Sequence, residues 1–338
     1  MPLHKVGKIT DPMTKTILYW NVFWGKQDFY IGFGAEPFRT CEYKNCFATN
    51  YKTFKPIDEF DAIIFHPPTY NLKYDGKPNQ RNERQVYIFH NMETPATNPP
   101  DFTNFNSFYN WSMTYRLDSD IITRYGEFFE DKSNYTLPSV QVIKKKTKLV
   151  AWFASNCKTP SQREKLAEEI NKFLPVDIYG KCGTLKCERT QEDMCYEMLE
   201  EKYKFYLSFE NSICKDYWTE KLYNVLKKNV VPIVYGAGNY SLSAPPHSVI
   251  NVADFDTVKQ LTDYLMHLDK NVTEYLKYFE WKKKFKIVKN KKACGICKKL
   301  HEPLRKSVYD DLKSWSWGKK GEICKTGKNL PQIVQKLL

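Results

Sequence analysis

Short apolar runs of strand length recur along the chain, separated by polar, turn-rich stretches. In the first half, Ile17-Leu18-Tyr19-Trp20, Ala62-Ile63-Ile64-Phe65 and Val86-Tyr87-Ile88-Phe89-His90 carry the β-branched and aromatic content of buried strands. They predict parallel strands of one α/β unit. The second half alternates between strand-like and helix-like periods. Leu149-Val150-Ala151-Trp152-Phe153-Ala154, Val176-Asp177-Ile178-Tyr179 and Lys204-Phe205-Tyr206-Leu207-Ser208-Phe209 read as strands, and Ser161 is placed to cap a helix over 162–173. Leu222, Val225, Leu226 and Asn229 fall at i, i+3, i+4 and i+7, drawing one helix face behind the capping side chains of 216–219. The run from Val230 to Tyr235 returns as a buried strand and stops at Gly236-Ala237-Gly238, and a helical stretch over 258–268 and 275–281 closes the pattern. This order is that of a doubly wound, nucleotide-binding type of domain. No internal repeat is present.

The lysine-rich stretch 143–148 reads as a solvated connector, so the domain boundary is placed there. That gives an N-terminal domain over 1–147, a second domain over 148–290 and a C-terminal segment over 291–338. A chain of 338 residues has room for two such cores, and 42% hydrophobic with 27% charged residues excludes a disordered or fibrous protein. Fifty-two basic against 39 acidic side chains leave a formal net charge of +13, which favours an anionic partner: nucleic acid, a membrane surface or a phosphorylated small molecule. The basic and aromatic residues are dispersed without a nucleic-acid-binding pattern, so nucleic acid is set aside. No apolar run approaches the roughly 18 to 20 residues that span a bilayer. The opening residues lack the layout of a signal peptide. The chain as given is expected to be soluble, any targeting segment having been cut away or never present.

Ten cysteines accompany four Asn-x-Ser/Thr acceptor sites, at Asn110, Asn134, Asn239 and Asn271. Together they point to a disulfide-bonded luminal or extracellular protein rather than a cytosolic one with reduced thiols. Cys294-Gly295-Ile296-Cys297 has no second pair at metal-ligand spacing and does not open a helix after an early strand, so structural disulfides are expected in place of zinc or redox chemistry. Two Asp-x-Asp triplets, 118–120 and 254–256, are the kind that can bind a divalent cation, and spacing alone elects neither.

Lys221 falls in the first turn of its helix, where the macrodipole disfavours a cation by a few tenths of a kcal/mol. Two arrangements compensate it. Either Glu220 pairs with it, or the helix start and Lys221 hold a phosphate while Glu220 is left for ribose hydroxyls. No Walker or Gly-x-Gly-x-x-Gly loop is present, which weakens ATPase and dehydrogenase readings.

The segment Phe205-Tyr206-Leu207-Ser208-Phe209-Glu210-Asn211-Ser212, with Lys215-Asp216-Tyr217-Trp218-Thr219-Glu220-Lys221-Leu222-Tyr223-Asn224, strongly resembles the donor-binding signature of the α1,3-fucosyltransferases, glycosyltransferase family 10. Met92-Glu93-Thr94-Pro95 and Thr114-Tyr115-Arg116-Leu117-Asp118-Ser119-Asp120 look like the family's acceptor-side motifs. The resemblance runs from Val86 to Cys297. It implies an α/β protein of the GT-B class, two Rossmann-like doubly wound domains facing across a cleft, and metal-independent, inverting transfer from GDP-fucose without a cofactor. Carried over by motif, Arg163 and Lys221 neutralise the diphosphate, and Glu220 takes the ribose. Tyr217, Glu210 and Asn211 line the nucleotide-sugar pocket, and Ser155 and Asn156 face the donor. On the acceptor side it implies Tyr115, Arg116 and Asp118, with Glu93 as catalytic base. Trp218 departs from the aliphatic residue usual at its position. A lone Arg163 would otherwise be read as an exposed helix arginine, and Glu93 as a turn residue or the partner of an Arg.

Cys182, Cys187, Cys195 and Cys214 make the chain look like the insect, plant and nematode enzymes that fucosylate the innermost GlcNAc of N-glycans, with Lewis-type transfer to antennary GlcNAc as the alternative. A lectin-like relative that only binds glycans is disfavoured by Glu93, Glu220 and Lys221 occurring together. The resemblance further implies a type II Golgi membrane protein of which this is the luminal part, acting on N-glycans of glycoproteins. It also implies pairing of Cys41 with Cys294, Cys46 with Cys297, Cys182 with Cys187 and Cys195 with Cys214, leaving Cys157 and Cys324 unassigned.

Overall fold

The computed structural model describes residues 11–100, 105–131, 135–303, 307–318 and 322–337, apart from the Arg189 side chain. The chain forms two compact units, Met1–Arg124 with Asn290–Gly318 and Tyr125–Lys289 with Lys319–Leu338. In the first unit, β1 (Lys15–Tyr19), β2 (Cys46–Thr49), β3 (Ala62–Phe65), β4 (Val86–Asn91), β5 (Trp111–Thr114) and β6 (Ile121–Ile122) form one parallel sheet in the order β2-β1-β3-β4-β5-β6. The first five strands are buried along nearly their whole length because helices and loops cover both faces of a parallel sheet. Leu18, Ile63, Phe65, Tyr87, Phe89 and Tyr109 make an aromatic-rich core on one side. The helix Lys292–His301 brings Cys294 and Cys297, one turn apart, to Cys41 and Cys46, and both pairs are bonded, the two pairings that the resemblance implies.

The second unit holds β7 (Glu127–Glu130), β8 (Lys148–Phe153), β9 (Val176–Tyr179), β10 (Tyr203–Phe209), β11 (Ile213–Cys214), β12 (Val231–Tyr235), β13 (Ile250–Asn251), β14 (Phe285–Val288) and β15 (Cys324–Lys325). Five of these make a parallel sheet in the order β13-β12-β10-β8-β9, while β7 with β14 and β11 with β15 form two-stranded antiparallel ribbons. Pro232 is tolerated inside β12 because β13 pairs only with Ile233 and Val234, so the strand is an edge at the proline. The helices Arg163–Phe173 and Val258–Lys270 bury Leu166, Ile170, Leu261 and Leu265 in one core with Val150, Phe205, Leu207 and Ile233. Among the described residues no helix is long and apolar enough to cross a membrane.

Four expectations are corrected. The boundary lies between Arg124 and Tyr125, not near 147. The lysine-rich stretch belongs to the second unit: Ile143 is fully buried in its core, and Lys146 Nζ donates to the carbonyls of Tyr203 at 2.9 Å and Asn229 at 2.5 Å. Periodicity cannot distinguish a solvated lysine run from one whose middle member caps buried carbonyls. Ser161 does not cap the helix; its hydroxyl donates to Glu210 O at 2.7 Å, and Gln162, at φ 53, is the N-cap without a side-chain bond. Finally, the cysteines of this unit pair as Cys157–Cys182, Cys187–Cys195 and Cys214–Cys324, not as Cys182–Cys187 and Cys195–Cys214. The loops after β8 and β9 leave neighbouring strands side by side, which sets Cys157 beside Cys182; β11 pairs with β15, which sets Cys214 opposite Cys324.

Two buried lysines close one end of this unit. Lys282 Nζ donates to Lys228 O at 2.6 Å and to Asn229 Oδ1 at 3.0 Å, beside Lys146 on the same turn, while Glu200 accepts the Asn229 amide at 2.8 Å. Burial lowers Lys146 to about 8 and Lys282 to about 7, each partly restored by Glu200. Unfolded lysine titrates near pH 10.4, so between about pH 7 and 10 the unfolded chain holds more protons than the folded one and stability rises with pH. The melting temperature is expected to climb between about pH 6.5 and 9, and Lys282→Met to flatten that climb. An unchanged slope in the variant contradicts the assignment.

Candidate functional site

Doubly wound sheets bind ligands outside the carboxyl ends of their strands, where the strand order reverses. In the second unit the chain passes from β8 to β9 on one side and then to β10, β12 and β13 on the other, so the order reverses between β8 and β10. The loop after β8 carries Ser155 and Asn156, the loop after β10 carries Glu210 and Asn211, and Arg163 opens the helix between β8 and β9. Tyr217, Glu220 and Lys221 follow in the stretch that leads into the helix Glu220–Leu226. All eight donor-side residues named from sequence therefore come from loops and helix starts of this one edge.

Arg163 is buried, not an exposed helix arginine: Nη1 donates to Phe209 O at 2.7 Å and Nη2 to Asn156 O at 3.4 Å. Burial lowers its pKa, opposed by Glu210. Glu210, 1% exposed, accepts from the Thr219 amide at 2.8 Å and the Thr219 hydroxyl at 2.9 Å. Lys221 Nζ lies 3.6 Å from Glu210 and 3.0 Å from Glu220, and donates to Thr219 Oγ1 at 3.0 Å. Burial raises the Glu210 carboxyl above its usual range, resisted by Lys221. Burial also pulls Lys221 down, but Glu220 and Glu210 together outweigh it and the ammonium titrates above its ordinary value. Glu220 is half-exposed, and burial is outweighed there by Lys221, which holds it below the usual carboxylate range. The Glu220–Lys221 pair foreseen as the bland alternative is thus formed, and a buried second carboxylate joins it.

Four buried polar atoms on this edge lack a hydrogen-bond partner: Arg163 Nε, Asn211 Oδ1, Trp218 Nε1 and Tyr240 Oη. Burying such atoms unpaired is costly, and they are the groups a polar ligand would satisfy. After β12, a Cβ added at Gly236 would lie 2.6 Å from Tyr240 Oη, and one at Gly238 2.0 Å from Trp218 Nε1, so a side chain at either place would displace that ring. Two cations, two carboxylates, two unpaired N–H donors, an unpaired amide oxygen and an unpaired phenol suit an anionic ligand that also carries hydroxyls.

In the first unit the strand order reverses between β1 and β3. Glu93 follows β4 in a turn whose Asn91 side chain accepts the Glu93 amide at 2.9 Å. It lines an open, shallow recess with Asn91, Tyr115, Arg116 and Trp315. Arg116 is committed to structure: its Nε donates to Asp118 at 2.8 Å, Nη1 donates to Trp315 O, and the guanidinium stacks 4.1 Å from the Trp315 ring. Asp120 accepts from the Ser112 amide and from Tyr309 Oη, each at 2.8 Å. The triplet 118–120 thus has both carboxylates engaged within the protein. Among the described residues, Cys46, Cys297 and His301 form a cluster of metal-ligand type, but its sulfurs are joined in a disulfide and offer no thiolate.

Sequence reasoning missed the residues at the reversal itself. Trp24 and Tyr30 expose their rings at φ 49 and 54. His66 follows β3, its Nδ1 2.7 Å from Thr69 Oγ1 and its buried Nε2 without a partner; burial lowers it to about 3. The signal was a histidine directly after an apolar strand, but only the strand order marks that strand end as special. Of the acceptor asparagines, Asn239 is exposed with Oδ1 accepting from the Ser241 amide at 3.1 Å, and Asn271 caps the helix Val272–Lys277. Asn110 donates to Ser307 O at 3.0 Å and accepts from the Tyr87 amide at 2.9 Å, while Asn134 lies outside the described residues.

Residues 143–315 match the family "Glycosyltransferase family 10 (fucosyltransferase) C-term", and residues 12–126 match "Fucosyltransferase, N-terminal". The chain is 36% identical to α-(1,3)-fucosyltransferase C of Drosophila melanogaster, over 89% of this chain and 77% of that protein. It is 40% identical to glycoprotein 3-α-L-fucosyltransferase A of the same species, over 72% of this chain and 50% of that one. A human 4-galactosyl-N-acetylglucosaminide 3-α-L-fucosyltransferase is 35% identical over 75% of this chain and 67% of its own length. A crystal structure of an α1,3-fucosyltransferase superposes with a TM-score of 0.57 at 16% identity, covering 91% of this chain and 95% of that one, so the likeness is one of fold.

Proposed function

We propose, on the premise that the chain belongs to glycosyltransferase family 10 and is an α1,3-fucosyltransferase of the GT-B class, that it moves fucose from GDP-fucose to the innermost GlcNAc of N-glycans. One observation carries the donor half: the residues around Arg163, Glu210 and Lys221 converge on the strand-order reversal of the second unit, with unpaired polar atoms beside them. Arg163 and Lys221 neutralise the diphosphate, Glu220 takes the ribose, and Tyr217, Asn211, Ser155 and Asn156 line the pocket. No cofactor is involved, and basic side chains supply the countercharge that a metal gives elsewhere.

The reaction is a single displacement. An acceptor hydroxyl attacks the anomeric carbon, the bond to GDP breaks with the electron pair leaving on the diphosphate, and Glu93 takes the hydroxyl proton. The acceptor side includes Tyr115 in the same recess, with Arg116 and Asp118 holding its wall, and the exposed rings of Tyr30 and of Trp24, which packs against His66. The core-GlcNAc reading is supported by the glycoprotein-acting fruit-fly relative at 40% identity and by the cysteines at 182, 187, 195 and 214. Transfer to antennary GlcNAc is the second reading, favoured by the 35% identical human relative. The setting is the Golgi lumen, as the luminal part of a type II membrane protein, where disulfides persist and acceptor asparagines are glycosylated, the exposed Asn239 being the accessible one among those described.

Offered GDP-fucose with an N-glycan core and, separately, with N-acetyllactosamine, the protein is expected to use the core; exclusive use of N-acetyllactosamine overturns the first reading in favour of the second. Lys221→Ala and Arg163→Ala are each expected to weaken GDP binding by roughly 2 to 5 kcal/mol, measured by calorimetry on folded protein. Unchanged affinity would leave Lys221 as a partner of Glu210 and Glu220 alone, and Arg163 as a strut beneath β10. Glu93→Gln keeps shape and loses basicity, so turnover should fall by about 10² to 10⁴ with GDP-fucose binding nearly intact. A rate within a few-fold of the parent removes Glu93 from the reaction.

A further inference from the structure

The residues from Ile323 to Leu337 lie past both family matches, which end at residues 126 and 315, yet they are built into the second unit. Their first part forms β15, which pairs antiparallel with β11 so that Cys324 faces Cys214, and the two are disulfide-bonded. Lys215 N donates to Ile323 O at 2.7 Å, the next rung of the same ribbon. Their last part is anchored: Leu330, Ile333 and Val334 are buried in the core that contains Leu166, Ile170, Val258 and Leu261.

The other side of the ribbon belongs to the loop between β10 and the helix Glu220–Leu226. That loop leaves β10 at Glu210, passes through β11, and reaches Tyr217 by a tight turn in which Tyr217 N donates to Cys214 O at 3.2 Å. Asp216, within the turn, is buried at φ 60, a left-handed conformation disfavoured for a residue with a Cβ. A ribbon of two residues per strand does not hold such a turn by backbone pairing alone. The disulfide and the buried helix Gln332–Gln335 supply the remaining constraint from the two ends of one short segment.

We propose that this C-terminal strap is a positioning element for the donor: it fixes the 210–219 loop so that Glu210 and Thr219 hold Lys221, with Tyr217 beside them, in the binding arrangement. The strap touches the loop and not the reacting atoms, so it acts on donor affinity and leaves the chemical step alone. This rests on the donor reading above. The test compares Cys214→Ala/Cys324→Ala with Cys41→Ala/Cys294→Ala, which removes a disulfide of the first unit instead. In the first pair the KM for GDP-fucose is expected to rise about tenfold with kcat within about twofold, and amide exchange over 211–219 to quicken. In the second pair both stay as in the parent. Leu330→Ala/Ile333→Ala, which frees the anchored end and keeps the disulfide, should move KM in the same direction if the first variant does not fold. An unchanged KM in the strap variants, or an equal rise in the control pair, overturns the inference. A parent protein that binds no GDP would sink the donor reading, and the inference with it, before any variant is compared; normal parental binding with unmoved strap variants sinks the inference alone.

Discussion

A carboxylate buried at the carboxyl end of β10 organises the second unit's ligand edge. An ionised Glu210 without partners would be too costly to bury, and the chain meets that cost with the Thr219 amide and hydroxyl and the Lys221 ammonium. Each partner has a further consequence. Binding Thr219 fixes where the next helix starts, because the same hydroxyl is its cap. Binding Lys221 sets the ammonium over the strand ends, where Glu220 also reaches it. Arg163 contributes from the other side through the Phe209 carbonyl, so the strand end is gripped by groups from two loops at once.

Parallel sheets impose the second constraint. Both of their faces must be covered, so each unit surrounds a continuous apolar sheet with helices and leaves its polar work to the carboxyl edge. Loops at that edge carry exposed and strained backbone that hydrogen bonds alone would leave loose. In the second unit, disulfides lie on this edge: Cys157–Cys182 joins the loops after β8 and β9, and Cys214–Cys324 joins the loop after β10 to the chain's last segment. In the first unit the two bonds instead hold the returning helix to β2 and to the loop before it. Arg116 plays a comparable part without a covalent bond, since its Asp118 pairing and its stacking on Trp315 hold the recess wall beside Glu93.

Much of this was legible in the chain. The runs at 17–20, 62–65, 86–90, 149–154, 176–179, 204–209 and 230–235 all lie within one or two residues of strands, because burial in a parallel sheet leaves a mainly apolar signature. The motif from Phe205 to Asn224 fixed the residues around Glu210 and Lys221, since their side chains act within a dozen residues of one another. Strand identity, helix faces and this local constellation are therefore properties of short windows of sequence.

What spans long separations was decided only by the fold. Lys146 reads as one more solvated lysine until Tyr203 and Asn229 present carbonyls to it. Cysteine pairing depends on which strand ends lie side by side, and neither the Cys157–Cys182 nor the Cys214–Cys324 neighbourhood exists until β8, β9, β11 and β15 have paired. The domain boundary moved for the same reason, because the β7–β14 ribbon binds residues 127–130 to 285–288 across most of the second unit. Periodicity reports on the face a residue turns to its own neighbours, whereas partners distant in sequence are chosen by strand order, which no local pattern encodes.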